Sequence, residues 1–135
     1  MEEEEVIERF GLPPREVDLP IIRDELAAQA RLEADDEGDT LVMKALCVLL
    51  FAAGHVEDSL RIWRAKQASF DAGCSIDVQL LCGAGYAATL KYLRTLEADD
   101  AQAAVDYLLE CEQAGDLNQV AEVLSAYRRY YGLDG

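Results

Sequence analysis

Proline is scarce and confined to the first twenty residues: Pro13, Pro14 and Pro20 are the only 3 in a chain of 135. Beyond Pro20 no pyrrolidine ring interrupts a helix. Histidine is represented by His55 alone, and the 4 cysteines (Cys47, Cys74, Cys82 and Cys111) stand far apart with no C-x-x-C pair. That set lacks the ligand spacing of a zinc site, and the thiols read as reduced, mostly buried small hydrophobes of a reducing compartment. No metal and no cofactor is expected. The opening residues, Met1 to Glu5, have neither the basic start nor the apolar stretch of a secretory signal. The longest apolar run, Leu41 to Ala53, is about 13 residues and includes Lys44, whereas a bilayer takes about 20. It is expected to be a buried helix of a cytoplasmic protein.

Positive charge is also short. The chain carries 12 basic and 27 acidic side chains, for a net charge of −15. Residues 1–39 hold 14 acids and 4 bases, residues 40–95 hold 4 and 6, and residues 96–135 hold 9 and 2. An acidic head and tail therefore flank a mildly basic middle. Such a chain repels nucleic acid and anionic membrane and attracts a cationic protein.

What is abundant points to helix. Apolar residues make up 51%, enough for a core, and Ala, Leu, Glu, Arg and Gln dominate over β-branched residues. No segment alternates as a half-buried strand does. Residues 1–19 read as an acidic arm, with Val6, Ile7 and Phe10 on one short amphipathic turn. Residues 20–133 read as a single all-α domain of six to seven short helices in antiparallel hairpins, a compact bundle or a short α-solenoid. Leu19, Ile22, Leu26 and Ala30 share a face of the first solid helix. The second, from Asp39 or Thr40 to Ala53, is apolar nearly all round and ends at Gly54. A third runs through Leu60, Trp63 and Lys66 toward Phe70, placing Trp63 on one face with Leu60 and Phe70. Ser75 caps a short helix over Ile76–Cys82, and another spans roughly Tyr86–Leu96. Asp99 with Gln102, and Asp116 with Gln119, have capping-box spacing and open helices of roughly 100–114 and 117–131.

Gly54, Gly85 and Gly115 lie 31 and 30 residues apart, each between helical segments. With Leu46, Ser59 and Trp63 around the first, the pattern resembles a tetratricopeptide-type array of helical hairpins. The runs Ile62–Lys66, Phe70-Asp71, Ile76–Gly85 and Tyr130–Leu133 are similar to a family of small bacterial proteins without an assigned activity. That resemblance implies a bacterial cytoplasmic origin and supplies no catalytic residue.

Few constellations carry chemistry. Gly83-Ala84-Gly85 has no Lys-Ser/Thr pair after it and reads as a packing turn rather than a phosphate loop. Asp35–Asp39 puts Lys44 where an EF-hand needs a glutamate and reads as a solvated acidic loop. His55, Cys74 and Cys82 have no nucleophile signature around them, so no catalytic residue is assigned. Two binding candidates remain. Arg61 and Arg64, with Lys91 and Arg94, form cationic pairs at helical spacing, suited to an acidic segment or to the chain's own acidic head and tail. Tyr127, Arg128, Tyr130 and Tyr131 are the residue types of interface hot spots. The expected function is a non-enzymatic protein–protein interaction module. One alternative is an immunity-type antagonist of a cationic toxin or nuclease. The other is a small enzyme or regulator with a pocket near Cys82–Gly85.

Overall fold

A computed structural model describes residues 1–133. It is all-helical among those residues, with eight α-helices: α1 (Glu3–Phe10), α2 (Leu19–Ala34), α3 (Thr40–Ala53), α4 (Asp58–Lys66), α5 (Phe70–Ser75), α6 (Tyr86–Thr95), α7 (Asp99–Gln113) and α8 (Val120–Tyr130). Two 3-10 turns, Glu16–Asp18 and Val78–Cys82, complete it.

The core is built around α3. From Ala45 to Phe51 every side chain of this helix is buried, as are Val42 and Met43, the consequence of a segment apolar on all faces. Its ends follow local chemistry. The Asp39 carboxylate accepts from the amides of Leu41 and Val42 at 3.0 and 3.1 Å, and Gly54 takes the left-handed conformation that closes the last turn. α1, α2, α5 and the Val78–Cys82 turn all pack on α3. Gly83 follows that turn so closely that a Cβ there would overlap the Phe51 carbonyl. The Gly83-Ala84-Gly85 run is thus a helix-packing turn.

The helix count exceeds the expected six to seven, and the reasons are physical. Residues 1–19 contain a true helix: Val6, Ile7 and Phe10 of α1 are buried in the core. The third helix, expected to continue through Lys66 toward Phe70, stops at Lys66. Ser69 then caps a new helix by accepting from the Ala72 amide at 3.0 Å. Phe70 consequently turns outward, 84% exposed, and does not share a face with Trp63. The segment 78–82 is a 3-10 turn begun by Asp77, whose carboxylate accepts from the Gln79 amide at 2.9 Å, rather than a helix capped by Ser75. Neither expected capping box forms. Asp99 already lies inside α7, Gln102 donates instead to Asp106 at 3.1 Å, and α8 begins only at Val120.

Candidate functional site

The groove on the α5 side of the molecule begins with Lys66, the last residue of α4. Its ammonium is nearly buried and donates to the carbonyls of Gly73 and Ile76, each at 2.5 Å. It has no direct carboxylate partner among the described residues, and burial lowers its pKa. Around it, Phe70, Gly73, Cys74 and Tyr107 line one depression of about 530 Å³. A second, of about 540 Å³, shares Lys66, Gly73, Cys74 and Tyr107 and extends past Asp77, Cys111 and Asp116 to Tyr127, Tyr130 and Lys44. The two form one groove, because their linings overlap. Tyr107 is 41% exposed and packs against the buried Trp63 ring, with centroids 5.6 Å apart. Core packing therefore holds one of the exposed aromatics in place.

The C-terminal aromatic and cationic residues lie at the far end of this groove, and most of their polar atoms are engaged within the chain. Lys44 of α3 lies 2.9 Å from the Glu3 carboxylate and donates to the Tyr130 hydroxyl at 2.9 Å. Tyr131 donates to the same carboxylate at 2.8 Å, and Tyr130 does so at 3.3 Å. Arg128 donates to the Leu12 carbonyl at 2.5 Å. Glu3, Lys44, Tyr130 and Tyr131 thus clamp α1 and α8 onto α3. Burial would lower the Lys44 pKa, but its bonds to Tyr130 and Glu3 outweigh that and raise it. Burial, then the Glu3 carboxylate, raises that of Tyr131. Tyr127 is pushed up to about 12, chiefly by burial. Of the four predicted residues, Tyr127 and Tyr130 line the groove.

The predicted cationic set divides. Arg61 and Arg64 of α4 line a cleft of about 270 Å³ against α2, together with Arg23. Lys91 and Arg94 of α6 do not line it. Nor does the acidic head neutralise this set. Asp58, 1% exposed, holds both Arg23 (2.8 and 3.0 Å) and Arg61 (2.9 Å), while Arg64 pairs at 2.6 Å with Asp100 of α7, a carboxylate of the acidic tail. The head's carboxylates go elsewhere, Glu3 to Lys44 and Glu16 to His55 at 2.8 Å. Arg23 was not singled out in the sequence. Only the docking of α2 on α4 brings it to Asp58.

A separate cavity of about 370 Å³ lies beside Cys82 and Gly85, walled by Phe51, Tyr86, Leu117, Val120 and Val123. Burial pushes the Cys82 thiol up to about 11, so near neutrality it is protonated and a poor nucleophile. His55 does not line this cavity; its ring is held by Glu16 and Glu57, and the Glu16 bond raises its pKa. Among the described residues, no group of three or more His, Cys, Asp or Glu side chains is placed to hold a metal ion. No described helix is long and apolar enough to cross a membrane.

No protein-family model, curated protein or solved structure matches the chain.

Proposed function

We propose that the protein is a non-enzymatic interaction module whose aromatic groove, running from Phe70 past Tyr107 to Tyr127 and Tyr130, receives a cationic segment of another protein carrying an apolar anchor. The observation that carries the reading is Phe70. It is a large aromatic, 84% exposed at the first position of α5, beside a groove with three tyrosines in its lining. Aromatic side chains desolvate much area for few rotors, which is why they anchor interfaces.

Charge supports the choice of partner. Asp77 and Asp116 line the groove, and neither makes a direct ion pair among the described residues. The groove's two lysines are already engaged, Lys44 by Glu3 and Tyr130, and Lys66 by two carbonyls. Against a net charge of −15, an incoming cation is steered toward the chain as a whole and meets carboxylates in the groove that hold no ion pair among the described residues. The four cysteines are unpaired, which suits a reducing cytoplasm. Acidity and small size also suit an antagonist that neutralises a cationic toxin, one particular case of such a partner.

The test compares affinity capture from native lysate by the wild-type chain, Phe70→Ala and Asp116→Asn, at low and moderate salt. A protein held by the wild type, lost with Phe70→Ala and weakened by salt and by Asp116→Asn supports the groove. An identical captured set for all three chains sinks it.

A further inference from the structure

The cleft between α2 and α4 differs from the rest of this acidic surface. Its walls follow from helical spacing: Arg23, Leu26, Ala27 and Ala30 project from one face of α2, and Arg61, Arg64 and Ala65 from the facing side of α4. Three alanines where two helices meet leave room that larger side chains would fill, and the resulting space is about 270 Å³. Its floor is apolar and its rim carries three guanidinium groups.

Those groups are placed rather than loose. Arg23 is fixed by both oxygens of the buried Asp58, and Arg61 by one of them. One carboxylate thus orients two cations. The nearest further acid is Glu57, 4.0 Å from Arg23. Arg64 binds Asp100 through Nε alone, in a pair exposed at both ends, and exposed pairs exchange partners at small cost. A guanidinium offers five donors. Among the described residues, the terminal nitrogens of Arg64 and Nη2 of Arg61 make no hydrogen bond within the chain. The cleft therefore combines spare, partly pre-oriented carboxylate-binding donors with an apolar floor.

We infer that this cleft is a binding site for a small apolar monocarboxylate, its carboxylate held by Arg61 and Arg64 and its hydrocarbon body lying on Leu26, Ala27, Ala30 and Ala65. Size sets the class. Drug-sized ligands occupy pockets of roughly 300–1,000 Å³, so a cleft just below that range fits a single aromatic ring or a short branched chain. Inorganic phosphate satisfies the donors but leaves the apolar floor in water, and it is the weaker ligand here. The inference is independent of the aromatic groove, since no residue lines both.

The experiment uses the full chain and follows backbone amide shifts by NMR during titration with benzoate, with benzamide and inorganic phosphate as comparison probes. Benzoate is expected to shift amides of α2 and α4 selectively and saturably, and to bind more tightly than either comparison probe. Arg64→Gln should weaken benzoate about tenfold, the loss of one charged hydrogen-bonding partner, without changing the melting temperature appreciably. Ala27→Leu, at an exposed helical position, should close the floor and abolish binding while every charge remains. Absence of shifts confined to this cleft overturns the inference. So does equal binding of benzamide or phosphate, or an Ala27→Leu chain that binds benzoate as the wild type does.

Discussion

The carboxylate of Glu3 in the first turn of the chain's first helix sits 2.9 Å from the ammonium of Lys44 in its most buried helix, with side-chain exposures of 6% and 12%. Removing one member of a nearly buried pair leaves the other charge unmatched. Glu3→Ala is therefore expected to cost about 3 kcal/mol in urea unfolding. Glu3→Leu with Lys44→Met should recover part of that loss, since an apolar replacement leaves no orphan charge. Additive single-variant losses would show that the two residues are not energetically coupled.

Trp63 and Phe70 test the break between α4 and α5 from opposite sides. Trp63 is 5% exposed and packs on Tyr107, so Trp63→Ala should destabilise by about 3–5 kcal/mol. Phe70→Ala should change stability by no more than about 0.5 kcal/mol, as surface substitutions do. Comparable losses at both positions would mean that one helical face carries both rings.

That pair also marks how far the sequence could be read. α3 was legible because an apolar run bounded by Asp39 and Gly54 contains its own start, stop and depth of burial. The Phe70 face was not, since the break at Lys66 depends on an ammonium reaching the carbonyls of Gly73 and Ile76, and on Ser69 competing as a cap. The Asp99–Gln102 and Asp116–Gln119 spacings were misleading: a spacing permits a capping box, but tertiary placement decides where the helix begins. Arg61 and Arg64 were legible as a pair, whereas their partner Arg23 lies 38 residues before Arg61 and meets it only through Asp58. Tyr130 and Tyr131 were visible as unusual. Their attachment to Glu3, at the opposite end of the chain, has no local signal.

Alkaline pH should unfold this protein earlier than its acidity suggests. Burial raises the Cys82 thiol from 9.0 to about 11, and Tyr127 from 10.0 to about 12. In each case the unfolded group loses its proton first. Stability is then fully present below the unfolded pKa and declines as pH rises from about 9 toward 12. Lys44, raised above 10.5 by its bonds to Tyr130 and Glu3 despite burial, loses its contribution in the same direction. The Cys82 contribution is on the order of 2–3 kcal/mol. Urea midpoints at about pH 8 and pH 10.5 should differ clearly, and Cys82→Ala should reduce the difference. A midpoint that is flat or rises over that range would contradict the assignment.

The acidic head poses the question of whether its charge acts in bulk or by position. Glu2, Glu4 and Glu5 are exposed while Glu3 is buried, although all four are chemically identical and consecutive. Converting Glu2, Glu4 and Glu5 together to Gln removes three charges but leaves the clamp intact. Its expected cost is below about 1 kcal/mol, from weaker charge–dipole interaction in the first turn of α1. Glu3→Gln removes one charge and should cost more than the triple change. Salt separates the two mechanisms further. At 1 M the Debye length is about 3 Å, so exposed terms fade while a buried pair is screened far less. The Glu3→Gln loss should therefore persist in 1 M salt, and the small triple-variant loss should vanish. If the triple variant were the more damaging, and salt erased the Glu3 effect, the head would act as a diffuse field. With Val6, Ile7 and Phe10 buried on the same helix, position is the expected answer: one glutamate of four is placed by the apolar face of α1 to meet Lys44.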